Sequence, residues 1–295
     1  MNIYITKNDI HSTMTTYFYC CFSMLYSAQQ QGHRGYLNWF RNGGFVQSYD
    51  DAEMYAKYPN AYSWYFKQPM FNEGEIVPKD SVWTWEIDGD KFGSYNLMSQ
   101  PLSVIKEFYR KNLIFNEDTN RRGRLIVEKY DIDFSKTIGV GWRGGDIYLE
   151  SLNGQQGRKY TPIEYYFEWI DKALEAIPDA RIACTAEEEG ILEPLFARYP
   201  QAFLIEEFYQ APKGSKHNPE RLSPMSGYER GLQPALMVWL FSKCAWLIKN
   251  RASTSAVASW LSDGEIVNIN HTEILGFPPH IDGVEYRGKL YQTSA

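Results

Sequence analysis

Between residues 137 and 270, short apolar runs alternate with helix-length amphipathic stretches, and this alternation restricts the fold more than any other feature of the sequence. The apolar runs are TIGVGW, RIACT, AFLI, AWLIK and EIVNIN, which start at residues 137, 181, 202, 245 and 265. Strands that alternate with helices in this way form a parallel sheet that is covered by helices. The second half therefore predicts a Rossmann-like α/β/α unit with about five parallel strands.

The stretches between these runs carry helix signals. Thr161 followed by Glu164, and Ser226 followed by Glu229, each fit a capping box, in which two side chains satisfy backbone amides at a helix start. We expect these helices to reach about residues 177 and 243, with Pro234 kinking or restarting the second. Two further helices are predicted at 187–199 and 253–261, and the tail from residue 271 carries no helix or strand signal.

The first half predicts a smaller βαβ unit that is followed by one more strand and one more helix. The strands are expected at 2–6, 36–39 and 81–87, and the helices from about residue 14 to 31 and at 101–115.

Two stretches of the first half stand outside this pattern. The polar run NEDTNRRGR at 116–124 predicts a linker between the two halves. In AYSWYFKQP, the adjacent side chains of Trp64, Tyr65 and Phe66 cannot all face one core from a single helix face, so we expect at least one of them to line a cleft.

Length and composition exclude several classes of protein. The chain has 295 residues, 44% of them hydrophobic, which suffices for two modest domains with real cores. No run reaches the roughly 18 consecutive apolar residues of a membrane span, and the N-terminus lacks the pattern of a signal peptide. We therefore expect a cytoplasmic protein. The net charge of −6 disfavours nucleic acid as a partner but leaves room for a small anionic ligand.

Cysteines and aromatic residues point to different roles. Cys20, Cys21, Cys184 and Cys244 have no CxxC spacing and no nearby His, so we expect core residues rather than metal ligands or nucleophiles. Aromatic residues make up 16% of the chain and suit stacking on sugar rings or bases. An aromatic-rich core explains any single one of them equally well.

Two sequence features predict an anion site at the carboxyl edge of the second sheet. After the strand at 137–142, Gly144 and Gly145 permit a tight turn that would hold Arg143 and Asp146 at this edge. After the strand at 245–249, a helix begins with Ser253, Thr254 and Ser255, next to Arg251. Hydroxyls, free amides and the positive end of a helix dipole bind anions. Both features are therefore expected to meet one phosphate group.

Two shorter motifs favour simpler interpretations. The run GVGWRG at 139–144 formally matches GxGxxG, but no helix signal follows before Thr161 and the positions about 20 residues on are basic, so NAD binding is disfavoured. Asp88-Gly89-Asp90 resembles the DxD that holds a metal in some sugar transferases, yet the same residues are ordinary turn chemistry after a strand. We expect no metal site.

Three segments resemble the fucosyltransferase-like GT-B glycosyltransferases, which include α-1,6-fucosyltransferases, nodulation-factor fucosyltransferases and protein O-fucosyltransferases. IGVGWRGGD is similar to a family strand that ends in His-x-Arg-x-x-Asp, and RIACTAEEEGILEPLFARYP to a strand that ends in Thr-Asp-Glu with its helix. LFSKCAWLIKNRASTSAVASW is similar to Leu-Ser-x-x-Asp-x-Leu-Ile before a Ser-rich helix start, and AYSWYFKQP to a Trp-x-Tyr-Phe segment. The resemblance implies a GT-B fold, with two Rossmann-like α/β/α domains that face a cleft. Residues 1–120 would form the acceptor-side domain and residues 121–295 the donor-binding domain.

The same resemblance implies roles for individual residues. Arg143 would bind the donor β-phosphate and stabilise the departing nucleoside diphosphate, and Glu150 or Asp146 would take the acceptor's proton. Gly141 stands where the family usually has His, and Met237 where many members have an Asp that reads guanine. The other residues assigned to donor binding are Trp142, Gly145, Thr185, Glu187, Arg251, Ser253, Thr254 and Ser255.

The function implied is an inverting, metal-independent glycosyltransferase that moves fucose or a related deoxysugar from a nucleotide-diphosphate donor to a carbohydrate hydroxyl. The partners would be a nucleotide sugar and a glycan acceptor. The donor is open between GDP-fucose, another GDP-sugar and a different nucleotide sugar. The competing interpretation is a non-catalytic carbohydrate- or nucleotide-binding protein of the same fold, because the family's His and Asp are replaced.

Overall fold

A computed structural model describes residues 2–5, 14–39, 51–58, 60–72, 82–83, 97, 100–142, 163–213, 223–250, 253–270, 283–286 and 289–291. The chain divides into two compact units. The first comprises Met1–Arg122 and Met225–Leu236, and the second comprises Gly123–Pro224 and Met237–Ala295. Within the described ranges, no helix combines the length and the apolar composition that crossing a membrane requires.

The first unit contains the predicted βαβ arrangement. Its elements in chain order are β1 (Asn2–Ile5), α1 (Met14–Gln30), β2 (Arg34–Leu37), α2 (Ala52–Lys57), β3 (Phe66–Lys67), β4 (Val82–Trp83), α3 (Leu102–Asn112), β5 (Ile114–Phe115) and the start of α4 (Glu117–Tyr130). Strand β1 pairs in parallel with β2 and β4, and β3 pairs antiparallel with β5. Strand β2 begins earlier than predicted because Arg34 and Gly35 already pair with Asn2 and Ile3.

The adjacent aromatic residues of the first unit are accommodated by a change of backbone direction. A single 3₁₀ turn, Ala61–Trp64, passes into β3, so the three side chains diverge and all are buried. The ring of Trp64 packs on Tyr55 at 4.6 Å between centroids, and that of Tyr65 stacks on Tyr228 at 5.5 Å. Trp64 and Phe66 also line a cavity, as the sequence predicted for at least one of the three.

The chain passes from the first unit to the second between Arg122 and Gly123, inside the predicted linker at 116–124, but residues 117–124 form the beginning of helix α4 and not a loop. Asn116 accepts a hydrogen bond from the amide of Thr119 at 2.9 Å and so caps the helix. Asp118 forms ion pairs with Arg121 at 2.6 Å and with Arg122 at 3.0 Å, which are helical i,i+3 and i,i+4 spacings. The charge run that resembles a loop is therefore the exposed face of a helix.

The second unit contains the predicted alternation of strands and helices. Its elements are β6 (Thr137–Trp142), α5 (Glu164–Ala176), β7 (Arg181–Ala186), α6 (Glu193–Arg198), β8 (Ala202–Leu204), the end of α7 (Gly227–Phe241), β9 (Trp246–Asn250), α8 (Ser253–Leu261), β10 (Glu265–Asn270), β11 (Gly283–Tyr286) and β12 (Lys289–Tyr291). Among the described residues the sheet has the order β12-β11-β10-β9-β6-β7-β8. Strands β10, β9, β6, β7 and β8 are parallel, which confirms the five predicted strands.

Helices cover both faces of this sheet. Ile138, Val140 and Trp142 of β6 point to one face and belong to a core cluster with Tyr166 and Trp169 of α5. The alternate residues of β6, Gly139 and Gly141, face the aromatic ring of Phe241 at the end of α7. The second unit therefore has the α/β/α layers that the sequence predicts.

Four local predictions for the second unit differ from the structure. Helix α5 begins at Glu164, with Ile163 at its N-cap, so Glu164 is the first helical residue and not the third; Thr161 lies outside the described residues. Helix α6 is shorter than predicted, because the backbone of 187–189 bonds to Ala211 instead. Helix α7 runs from Gly227 to Phe241 with Pro234 inside it, so it does not restart at Pro234, and it ends two residues before the predicted Lys243. The tail contains β11 and β12, which were not predicted.

The close contact of α7 with β6 predicts a difference between the two glycines of that strand. A Cβ added to Gly139 would lie 2.9 Å from Phe241 Cδ1 and 3.2 Å from Cys244 Sγ, both fully packed. Gly139→Ala is therefore expected to lower the free energy of unfolding by about 1–3 kcal/mol. At Gly141 the nearest atom would be Phe241 Cε2 at 3.5 Å, an ordinary contact. Gly141→Ala should leave the unfolding free energy unchanged or raise it by up to about 1 kcal/mol. Urea denaturation of both variants measures this, and equal destabilisation would contradict the packing argument.

The cysteines within the described residues are core residues, as predicted. Cys21, Cys184 and Cys244 are free and buried. Burial raises the pKa of the Cys184 thiol well above its ordinary value and that of Cys244 to about 12. Because the thiolate is the reactive form, these two side chains are unsuited to nucleophilic catalysis near neutral pH.

We expect Cys184 and Cys244 to resist iodoacetamide at pH 8 in the native protein and to react after unfolding. With a pKa of about 12, only about 10⁻⁴ of the Cys244 side chain is thiolate at this pH. Mass spectrometry of tryptic peptides measures each site separately. Rapid labelling of either peptide in the folded chain would show that the thiol is accessible and ionised.

Candidate functional site

The candidate site lies where the direction of strand order reverses in the second unit. From β6, the chain adds β7 and β8 on one side of the sheet and then returns to add β9 and β10 on the other side. The carboxyl ends of β6 and β9 are therefore neighbours, and Gly141 pairs with Lys249 in the register. Open α/β sheets bind ligands at this kind of switch point, outside the carboxyl ends of the strands.

Gly141 lies where three elements meet at this edge. A Cβ on Gly141 would lie 3.9 Å from Ser255 Cβ and 4.0 Å from Lys249 Cβ, so residues of β6, β9 and α8 converge here. Thr185 of β7, another predicted donor-binding residue, pairs with Gly141 from the other side and is buried. The structure thus brings Gly141, Thr185 and Ser255 to one edge of the sheet.

The end of β6 is held by a tyrosine from the opposite face. Tyr166 of α5 donates a hydrogen bond from its hydroxyl to the carbonyl of Gly141 at 3.3 Å. Burial raises the pKa of Tyr166 well above its ordinary value, while a hydrogen bond with the backbone of Asn250 lowers it. Because this hydroxyl contacts Gly141, the penultimate residue of β6, and Asn250, the last residue of β9, it links the carboxyl ends of the two strands.

Helix α8 begins three residues after β9, at Ser253. The first turn of a helix presents amides without intrahelical partners and the positive end of the dipole. The hydroxyl of Ser255 donates to the carbonyl of Asn250 at 3.2 Å. Because this proton is already donated within the protein, the Ser255 hydroxyl does not offer it to a ligand. The preceding residue, Thr254, is half-buried.

The sequence did not single out Lys249, although it lies at the centre of this edge. Lys249 is only 3% exposed and is the fourth residue of β9. A lysine is almost never buried unless its charge is compensated. The one signal in the sequence is a lysine inside the apolar run AWLIKN. Its Cβ lies 4.0 Å from the position of a Cβ on Gly141, so this buried lysine is part of the same strand edge.

The remaining predicted residues have different positions. Trp142 packs into the core of the sheet, on the α5 face. Glu187 directly follows β7, and its carbonyl accepts a hydrogen bond from the amide of Ala211 at 2.8 Å. Met237 lies on α7, one turn before Phe241. The predicted residues that lie outside the described part of the chain are Arg143, Gly145, Asp146, Glu150 and Arg251, together with the side chain of Ser253 and the Asp88-Gly89-Asp90 motif.

No protein-family model matches the chain, and no curated protein matches it by sequence. Solved structures do match. The chain is similar to the NodZ α-1,6-fucosyltransferase soaked with GDP-fucose, with a TM-score of 0.54, 12% identity, and coverage of 97% of this chain and 98% of that one. It is also similar to a mutant of Arabidopsis thaliana FUT1 in complex with GDP, with a TM-score of 0.53, 11% identity, and coverage of 94% and 72%.

These similarities extend over nearly the whole chain, at identities that establish the fold only. The chain therefore has the α/β fold of the fucosyltransferase-like GT-B glycosyltransferases.

Proposed function

We propose that this chain is a glycosyltransferase that moves a sugar, with inversion, from a nucleotide-diphosphate donor to a carbohydrate hydroxyl. The observation that carries the proposal is the switch point between β6 and β9. Arg143 follows β6 directly, and α8 begins just after β9, so two anion-binding features follow neighbouring strands. The similar NodZ structure was soaked with GDP-fucose and the FUT1 mutant is in complex with GDP, which makes a GDP-sugar the first donor to test.

The chemistry of this proposal is electrostatic. As the bond between the sugar and the diphosphate breaks, negative charge grows on the departing phosphate oxygen. Fixed positive groups stabilise that charge without reorganising during the reaction. The amides at the start of α8 and the ammonium of Lys249 are held by the fold. The planar guanidinium group of Arg143 would add two parallel hydrogen bonds to phosphate oxygens.

The acceptor hydroxyl must lose its proton as it attacks the sugar. A carboxylate close to the transferred sugar can accept that proton as a general base. We propose Asp146 or Glu150 for this role, because both follow Arg143 closely in the chain. Attack by the acceptor on the face opposite the diphosphate inverts the configuration of the sugar carbon.

We also propose that the reaction needs no divalent metal. In this scheme Arg143 and the start of α8 carry the positive charge that a metal supplies in other sugar transferases. The identity of the donor's nucleotide base is less constrained, because the side chain of Met237 has no carboxylate to accept hydrogen bonds from guanine. Discrimination between bases is therefore expected to be weak, since specificity of this kind depends on hydrogen bonds to the base edge.

Release of nucleoside diphosphate from GDP-fucose in the presence of EDTA tests the proposal. We expect slow hydrolysis without an acceptor and faster release when a glycan acceptor is added, both unaffected by EDTA. Parallel reactions with UDP- and dTDP-sugars measure base selectivity. A protein that binds nucleotides and releases no diphosphate from any donor would support the non-catalytic alternative. Activity that is lost in EDTA and restored by manganese would contradict metal independence.

Substitution of Arg143 separates a role in catalysis from a role in folding. A lysine has a single ammonium group and cannot make the bidentate contact, so Arg143→Lys is expected to lower activity nearly as much as Arg143→Ala. Because the charge develops in the transition state, the loss should fall on kcat, by about 10²-fold or more. Arg198→Lys is the matched control, since Arg198 forms an exposed ion pair with Asp171 in the same unit. Melting temperatures accompany the kinetics, and near-normal kcat in folded Arg143→Ala would exclude the proposed role.

A further inference from the structure

The first unit contains a cavity of about 850 Å³ that the switch-point site does not use. This volume falls within the roughly 300–1,000 Å³ that is typical of small-molecule sites. Its described walls come from β2, α2, the 61–72 segment, β5 and the first turns of α4 and α7. Six aromatic side chains line it: Tyr36, Tyr58, Trp64, Phe66, Phe71 and Tyr228.

One aromatic wall is held rigidly by hydrogen bonds. The indole Nε1 of Trp64 donates to the carbonyl of Tyr58 at 2.9 Å. Asn116 Nδ2 donates to the carbonyls of Ser63 at 3.1 Å and Trp64 at 2.8 Å. This wall is therefore formed before any ligand arrives, which reduces the entropy lost on binding.

A second wall is built around Phe71. The guanidinium of Arg34 lies 4.1 Å from the centre of the Phe71 ring, and Tyr36 meets that ring edge-on at 5.4 Å. Arg34 also donates from Nη2 to the carbonyl of Met70 at 2.6 Å, which fixes the backbone next to Phe71. Aromatic faces on two sides thus enclose the space.

The mouth of the cavity exposes apolar surface beside polar groups. Tyr58 is 46% exposed and Ile114 is 40% exposed. The exposed side chains of Lys57, Lys67 and Asn72 lie among the lining residues. The site therefore offers flat apolar faces together with hydrogen-bonding groups.

The charges of the lining select between classes of ligand. Among the described lining residues, Lys57 and Lys67 are balanced by Glu117 and Asp118. Around the lining the two signs also alternate, since Asp118 accepts a hydrogen bond from Tyr228 at 2.6 Å and pairs with Arg121 and Arg122, and Arg122 pairs in turn with Glu229. A site without net charge does not favour phosphates or other anions. A lipid chain would instead need a lining without these polar groups.

We propose that this cavity binds a neutral oligosaccharide. A sugar ring has C–H faces that pack on aromatic rings and hydroxyls that bond to amide, ammonium and carboxylate groups, which matches this lining. That such a saccharide is the acceptor of the transfer reaction rests on the function proposed above, whereas its binding to the first unit does not.

A glycan array that carries neutral and acidic oligosaccharides, probed with the full chain without nucleotide, tests the proposal. Neutral glycans that bind are then titrated in solution by calorimetry. Tyr58→Ala is expected to weaken binding at least about tenfold, because it removes an exposed aromatic face. The contact of Tyr58 with Trp64 uses only the backbone carbonyl, so the wall should persist. Ile114→Trp, which fills the mouth, should weaken binding as strongly.

Tyr165→Ala is the matched control, since Tyr165 is an exposed tyrosine of the second unit and should leave affinity unchanged. Absence of neutral glycan binding, preference for acidic glycans, or full affinity in both Tyr58→Ala and Ile114→Trp would overturn the proposal. Hydrolysis of GDP-fucose, measured on the same variants, should remain at the wild-type rate. Glycan binding without any donor hydrolysis would end the proposed transferase function and leave this site standing.

Discussion

Close packing of Phe241 against strand β6 is the contact on which the second unit depends. The ring fits because Gly139 has no side chain, since even one added carbon there would lie 2.9 Å from Phe241 Cδ1. This contact brings the end of α7 flat onto the sheet, and the start of α8 lies next to Gly141 on the same face. On the other face, Tyr166 holds the carbonyl of Gly141. A strand with glycines is thus fixed from both sides at the point where it meets the candidate ligand.

The sequence predicted the parallel part of the second sheet well, for a physical reason. A strand that is buried on both faces is apolar throughout and short, so β6, β7, β9 and β10 stand out from the amphipathic helices between them. The polar run at 116–124 was misjudged because charges spaced three and four residues apart stabilise a helix as readily as they solvate a loop. In α7, burial of its apolar side chains outweighed the local effect of Pro234.

The site was predictable only in part, because strand order is not visible in local sequence. Glycines after a strand and hydroxyls at a helix start indicated two anion-binding features, and the structure shows that the strands they follow, β6 and β9, are neighbours. Lys249 carried no such signal, since a single lysine in an apolar run is also typical of a strand end. The cavity of the first unit depends on contacts between distant residues, such as Asn116 with Trp64, that no spacing reveals.

The hairpin of β11 and β12 has a consequence for how this protein behaves at high concentration. Without the hairpin, the six-residue strand β10 would be an edge strand of the parallel sheet, with unpaired backbone N–H and C=O groups. Such an edge strand can pair with the same strand of another molecule. Among the residues that the structure describes, the outermost strands of this sheet are β12 and β8, and each is three residues long. Neither gives an incoming chain enough length to extend the sheet, so the hairpin protects the fold against aggregation.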